Sequence, residues 1–103
     1  MDVRARTTEL PRHVGDILDQ ANGIKTIGDI SLVRSGRDTA LGHFHEALAL
    51  YAQIPEPYST GTTQRRLARI SEDEERAAHV EAARAAGLSI KREDLVAELD
   101  AAF

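Results

Sequence analysis

Histidine is the first residue type in this chain that could do chemistry, since imidazole binds metals and exchanges protons near neutral pH. His43 and His45 are two residues apart. On a helix that spacing sends them to different faces, whereas a shared metal needs i, i+4 spacing. His79 follows His43 by 36 residues, which suggests a structural position that recurs. No metal site is expected. Gly23-Ile24-Lys25-Thr26 resembles the tail of a phosphate loop, but Ile24 separates glycine from lysine and no glycine-rich turn follows a strand. The acid pairs lack a partner acid or nucleophile, and serine, histidine and aspartate fall in no known catalytic order. The chain reads as non-catalytic, with no cofactor. Gln64-Arg65-Arg66 could mimic a DNA-recognition helix, yet the acids at 72–75 would then sit against phosphate, so no nucleic-acid partner is expected.

The elements that must position these residues come in two similar units. His43-Phe44-His45-Glu46-Ala47-Leu48-Ala49-Leu50-Tyr51-Ala52-Gln53-Ile54 is echoed 36 residues later by His79, Val80, Ala83 and Ile90 at His43, Phe44, Ala47 and Ile54. Upstream, Val14 to Gly28 is repeated as Ile54 to Ala68 at an offset of 40. Self-similarity at such a period marks stacked supersecondary units. The drop in offset from 40 to 36 places a four-residue shortening in the turn between the second pair of helices.

Helical periodicity fills both units. Ile17, Ala21, Ile24, Gly28 and Ser31 form one stripe, widened by Ile27 and Ile30, which predicts a helix over about 16–34. Residues 1–13 fit the repeat poorly and read as a lead-in holding a short helix broken at Pro11. Ser35 is expected to cap the next helix, with Asp38 in its first turn. Its stripe is Ala40, Phe44, Ala47, Leu48 and Tyr51. Ile54-Pro55-Glu56-Pro57 enforces a turn. A third helix should run from Tyr58 or Ser59 to Ile70, with Leu67 on Ile27, Ala68 on Gly28 and Ser71 on Ser31. Ser71-Glu72-Asp73-Glu74 reads as a capping box, opening a fourth helix over about 73–86 that Gly87 stops. A last helix begins near Arg92, carrying Leu95, Val96, Leu99 and Phe103.

Composition fits a small soluble domain. Hydrophobic residues make up 42% of 103 residues, but aromatics only 4%, so alanine fills a thin core by close helix approach. A net charge of −4 provides no long-range attraction to nucleic acid or anionic membrane. No cysteine is present, which is compatible with a reducing cytoplasm. No apolar run approaches membrane-spanning length and the amino terminus lacks the apolar stretch of a signal peptide; a cytoplasmic protein without a membrane partner is expected.

Ile24, Ile27-Gly28, Ser31, Ala40, Phe44 and Ala47 fall at the spacing of a tetratricopeptide repeat, and Ala77/Ala78, Val80 and Ala83 repeat its second half, with Leu67 and Ala68 at the places of Ile27 and Gly28. The phrase His-Phe-x-Glu-Ala-Leu-Ala-Leu-Tyr-x-x-Ile resembles the long-period variety found in large bacterial regulators and kinesin light chains. Three positions depart from the pattern: Gly36 lies one residue late, Ser31 replaces an aromatic, and Gln64 replaces a large apolar residue. The resemblance implies an all-α fold: antiparallel hairpins stacked as a short right-handed solenoid. Residues 14–103 would form one domain: a first repeat at 14–54, a second at 55–90 and a capping helix at 91–103, whose Asp94, Glu98 and Asp100 would face solvent.

The family's members are protein-interaction modules, and the resemblance implies a scaffold or adaptor binding a protein or peptide. The first helix of each pair would line a groove. Asn22, Lys25 and Asp29 lie off the packing stripe, and forty residues on stand Thr62, Arg65 and Arg69. Arginine forks hold carboxylates in bidentate fashion, so this groove should favour acidic groups. Because a repeat cannot bury its apolar face alone, a homodimer that completes the stack is expected. The alternative is a detached carboxy-terminal regulatory element of a bacterial signalling or transcription regulator.

Overall fold

The computed structural model describes the backbone of residues 2–103, with side chains described from Val14 onward. Among these residues the chain is all-helical: α1 Asp2–Arg34, α2 Arg37–Gln53, α3 Pro57–Arg69, α4 Asp73–Ser89 and α5 Glu93–Ala102. The break expected at Pro11 does not occur, because α1 continues through it. The missing proline N–H forfeits one ladder hydrogen bond, and helix-favouring arginine, glutamate and leucine on either side carry the backbone across. The side-chain packing of the 1–13 lead-in lies outside the described residues.

Each turn has a local cause. The amides of Ser35 and Gly36 both donate to the Ser31 carbonyl, at 2.7 and 2.9 Å. Gly36 then turns the chain at φ 105°, a conformation that glycine adopts without a steric penalty. Gly36, not Ser35, is therefore the N-cap of α2, and no side chain caps that helix. At α3 the Glu56 carboxylate accepts from the Ser59 amide at 2.8 Å, and Pro57 opens the helix where its missing N–H is harmless.

The expected capping box at Ser71 is absent. Ser71 is buried in the turn, Glu72 is the N-cap without a side-chain bond, and Asp73 takes φ 52°. Arg76 closes this turn instead, its Nε donating to the carbonyls of Ala68 and Ser71 at 3.1 and 2.9 Å. The four-residue shortening also falls elsewhere. α2 and α4 match end for end at 36 residues, each 17 long, whereas α3 ends at Arg69, short of Ser71. The loss is in the last turn of α3, and the connection after it is one residue longer than its counterpart. Nor does Gly87 stop α4, which continues to Ser89. Gly87 is buried where α5 docks, and a Cβ there would lie 3.3 Å from Val96 Cγ2.

Packing is most extensive between α1 and α2 and between α3 and α4, with α2 touching α3 and α4 touching α5. Two antiparallel hairpins and a final helix result. One core cluster joins Ala21, Ala47 and Tyr51, flanked by Leu18, Ile24, Leu50 and Ile54. A second joins Ala40, Phe44 and Leu67, flanked by Leu41, Leu48 and Ile70, and so ties the hairpins together. Phe44 and Tyr51 are fully buried, each stabilising the fold by about 1.5–3 kcal/mol on a transfer basis. Ala68 and Ala83 are buried with them, while Val80 is half-buried. Ile27 and Ile30 do not widen the core: both are half exposed, because their direction on α1 points away from α2.

Candidate partner-binding groove

α1 and α3 lie side by side, and polar side chains cross between them. Lys25 Nζ donates to Thr62 Oγ1 at 3.4 Å, and Arg66 Nε donates to Asp29 Oδ1 at 2.8 Å. Thr62 and Thr63 turn their hydroxyls onto the Ser59 carbonyl, which holds that part of α3 rigid. Between the helices runs an open groove of about 490 Å³ lined by Asp29, Leu32, Phe44, Thr62, Arg65, Arg66 and Arg69.

Five of the six residues expected from spacing, Lys25, Asp29, Thr62, Arg65 and Arg69, meet along this groove. Asn22 is turned aside, because its Oδ1 accepts the Tyr51 hydroxyl. Burial pushes the Tyr51 phenol above its ordinary pKa, so it remains a neutral donor. Lys25 also stands 5.7 Å from the centre of the Tyr51 ring. Its ammonium is held below the usual lysine value, first by burial and then by Arg66, with Asp29 and Glu56 opposing.

Arg65 is the most informative side chain. Its Nη1 donates to Glu98 Oε1 of α5 at 2.8 Å, while its buried Nε has no acceptor. A buried N–H without a partner is uncommon and calls for an acceptor. Arg69 is exposed and makes no ion pair among the described residues. The acids of α5 are exposed as expected, and each also forms an ion pair: Glu98 with Arg65, Asp100 with Arg84, and Asp94 with Arg92. The groove also takes in Leu32, Phe44 and Arg66, which spacing did not assign to it. The helical spacing of Arg66 from Thr62 was a usable signal; the approach of Phe44 depends on the packing of α2.

Chemically, the groove presents cations and hydrogen-bond donors around partly neutralising carboxylates, which suits acceptor-rich ligands. Among the described residues no group of three or more histidines, cysteines or acids is placed to hold a metal, and no helix is long and apolar enough to cross a membrane. Comparison with protein-family models, with curated proteins and with solved structures finds no match to this chain.

Proposed function

We propose that the chain is a non-catalytic tetratricopeptide-like interaction module that binds an acidic protein segment or peptide between α1 and α3. The observation that carries this reading is the convergence of Lys25, Arg65, Arg66 and Arg69 on one open groove. A carboxylate entering there would meet the exposed guanidinium of Arg69, which makes no ion pair among the described residues, and charge-assisted bonds of this kind are the stronger class. The pairing of α1 with α2 and of α3 with α4, and the contact of α2 with α3, support stacked repeats. In the same reading the module self-associates through the uncovered side of α1.

The test is titration calorimetry of the chain against a panel of acidic peptides, with neutral peptides of the same length as controls. Binding should weaken as salt rises and should be lost in Arg65→Ala and Arg69→Ala variants that keep their helical circular dichroism. Equal affinity for acidic and neutral peptides, or binding indifferent to both substitutions, would exclude this groove as the site.

A further inference from the structure

The side of α1 that points away from α2 carries Gly23, Ile27, Ile30 and Val33. Ile27 is 48% exposed, Ile30 51% and Val33 86%. Forty residues on, the matching face of α3 lies against α2: Thr63 and Leu67 are fully buried, and Ile70 packs on the cluster of Ala40 and Phe44. One helix face is thus covered in the second hairpin and, among the described residues, uncovered in the first. Three large aliphatic residues grouped on one open face favour removal from water. The ends of the patch differ in charge. Asp19 lies one turn before Gly23 and Arg34 one turn after Ile30; both are exposed, and neither forms an ion pair among the described residues.

We infer that this face binds a second copy of the chain, with α1 antiparallel to the partner's α1 about a twofold axis between positions 26 and 27. In that register Asp19 meets the partner's Arg34, Gly23 meets the partner's Ile30, and Thr26 meets the partner's Ile27, each contact occurring twice. A Cβ built on Gly23 meets nothing within 4 Å, so the space over it is open to an incoming isoleucine. The overlap from Asp19 to Arg34 is about 24 Å long at the helical rise. A parallel pairing would instead set Asp19 on Asp19 and Arg34 on Arg34. A head-to-tail contact would not close, whereas this interface is self-complementary. The inference rests on the self-associating part of the proposed function and is independent of what the groove binds.

Sedimentation of the full chain over a wide concentration range tests it. The wild type should reach dimer mass, and Asp19→Arg or Arg34→Asp alone should weaken dimerisation at least about tenfold by placing like charges in both contacts. An equimolar mixture of these two variants should dimerise again, because every contact then joins opposite charges; the double variant should do so by itself. Both positions are exposed, so circular dichroism should be unchanged. The chain has no cysteine, so Thr26→Cys should be joined efficiently by a short bis-maleimide, and Asp19→Cys should not. A monomer at every concentration, a dimer indifferent to both charge reversals, or preferential joining through Asp19→Cys would overturn the proposal. A monomer that still binds acidic peptides leaves the groove reading standing; a dimer that binds none removes the groove reading alone.

Discussion

The ring of Phe44 occupies the space that any side chain at Gly28 would need. A Cβ at Gly28 would stand 2.6 Å from Phe44 Cε1 and 2.8 Å from Cδ1, closer than carbon atoms approach without displacement. Phe44 is fully buried between Ala40 and Leu67, so the ring cannot swing aside without disturbing the contact between hairpins. The small residue of α1 and the large residue of α2 form one packing unit. It sets how closely the first hairpin closes and where the second hairpin rests.

Gly28→Ala should therefore destabilise the fold although alanine is the better helix former. Overpacking of a filled core costs about 1–3 kcal/mol, against about 1 kcal/mol returned by helix propensity. The expected result is a lower thermal midpoint by circular dichroism. A midpoint equal to or above wild type would mean that the ring yields without loss.

Gly42 provides the opposite case. It lies within α2, is exposed, and a Cβ there meets nothing within 4 Å. Gly42→Ala should raise stability by about 0.5–1 kcal/mol through helix propensity alone. The same melting experiment reads it, and an unchanged or lower midpoint would count against an ordinary helical backbone at this position.

Asp29 currently holds Arg66 through a 2.8 Å bond, with both side chains partly exposed. Partly exposed pairs contribute only about 0–1 kcal/mol, so Asp29→Asn should leave the fold nearly intact. It should also free Arg66 and make the groove more positive. If the groove takes acidic peptides, their affinity should rise several-fold at low salt, and the gain should shrink as salt is added. An affinity that falls on substitution would mean that Asp29 itself contacts the ligand.

Much of this arrangement was readable from residue spacing, and the failures share a cause. Stripes such as Ile17, Ala21, Ile24 and Gly28 identify helices, and Lys25 and Arg65 reach one groove because helical period and repeat offset are both preserved. What spacing does not contain is whether a face has a neighbour. Ile27 and Leu67 occupy equivalent positions, yet only Leu67 is buried, since α2 lies over it. Turn chemistry was misread for a related reason. Ser71 has the composition of a capping residue, but Arg76 takes the free carbonyls and Glu72 becomes the N-cap. The partners of Glu98 and Asn22 likewise depended on approaches between distant elements.

His79 links the hairpins in a way that should make stability depend on pH. Its Nδ1 lies 2.6 Å from Gln64 Oε1 of α3, and its ring centre is 6.0 Å from that of His45 on α2. Burial, and secondarily His45, hold its pKa below the ordinary histidine value, with Glu75 opposing. Above about pH 6.5 both folded and unfolded chains carry a neutral imidazole, and the contribution is fully present. As pH falls through that value the unfolded chain takes up the proton first, so stability declines until the folded form is protonated too. Asp94, held at about 2 chiefly by its hydrogen bond from Arg92, has linkage of the same sign in a more acidic window. It stabilises the fold above the ordinary aspartate range and loses that contribution only in stronger acid, outside the histidine range. The urea midpoint should therefore drop between about pH 7.5 and pH 5 in the wild type, and the drop should be smaller in His79→Gln. The same slope in both proteins would assign the pH dependence to other groups, and a flat wild-type profile would mean that the folded imidazole titrates as it does in the unfolded chain.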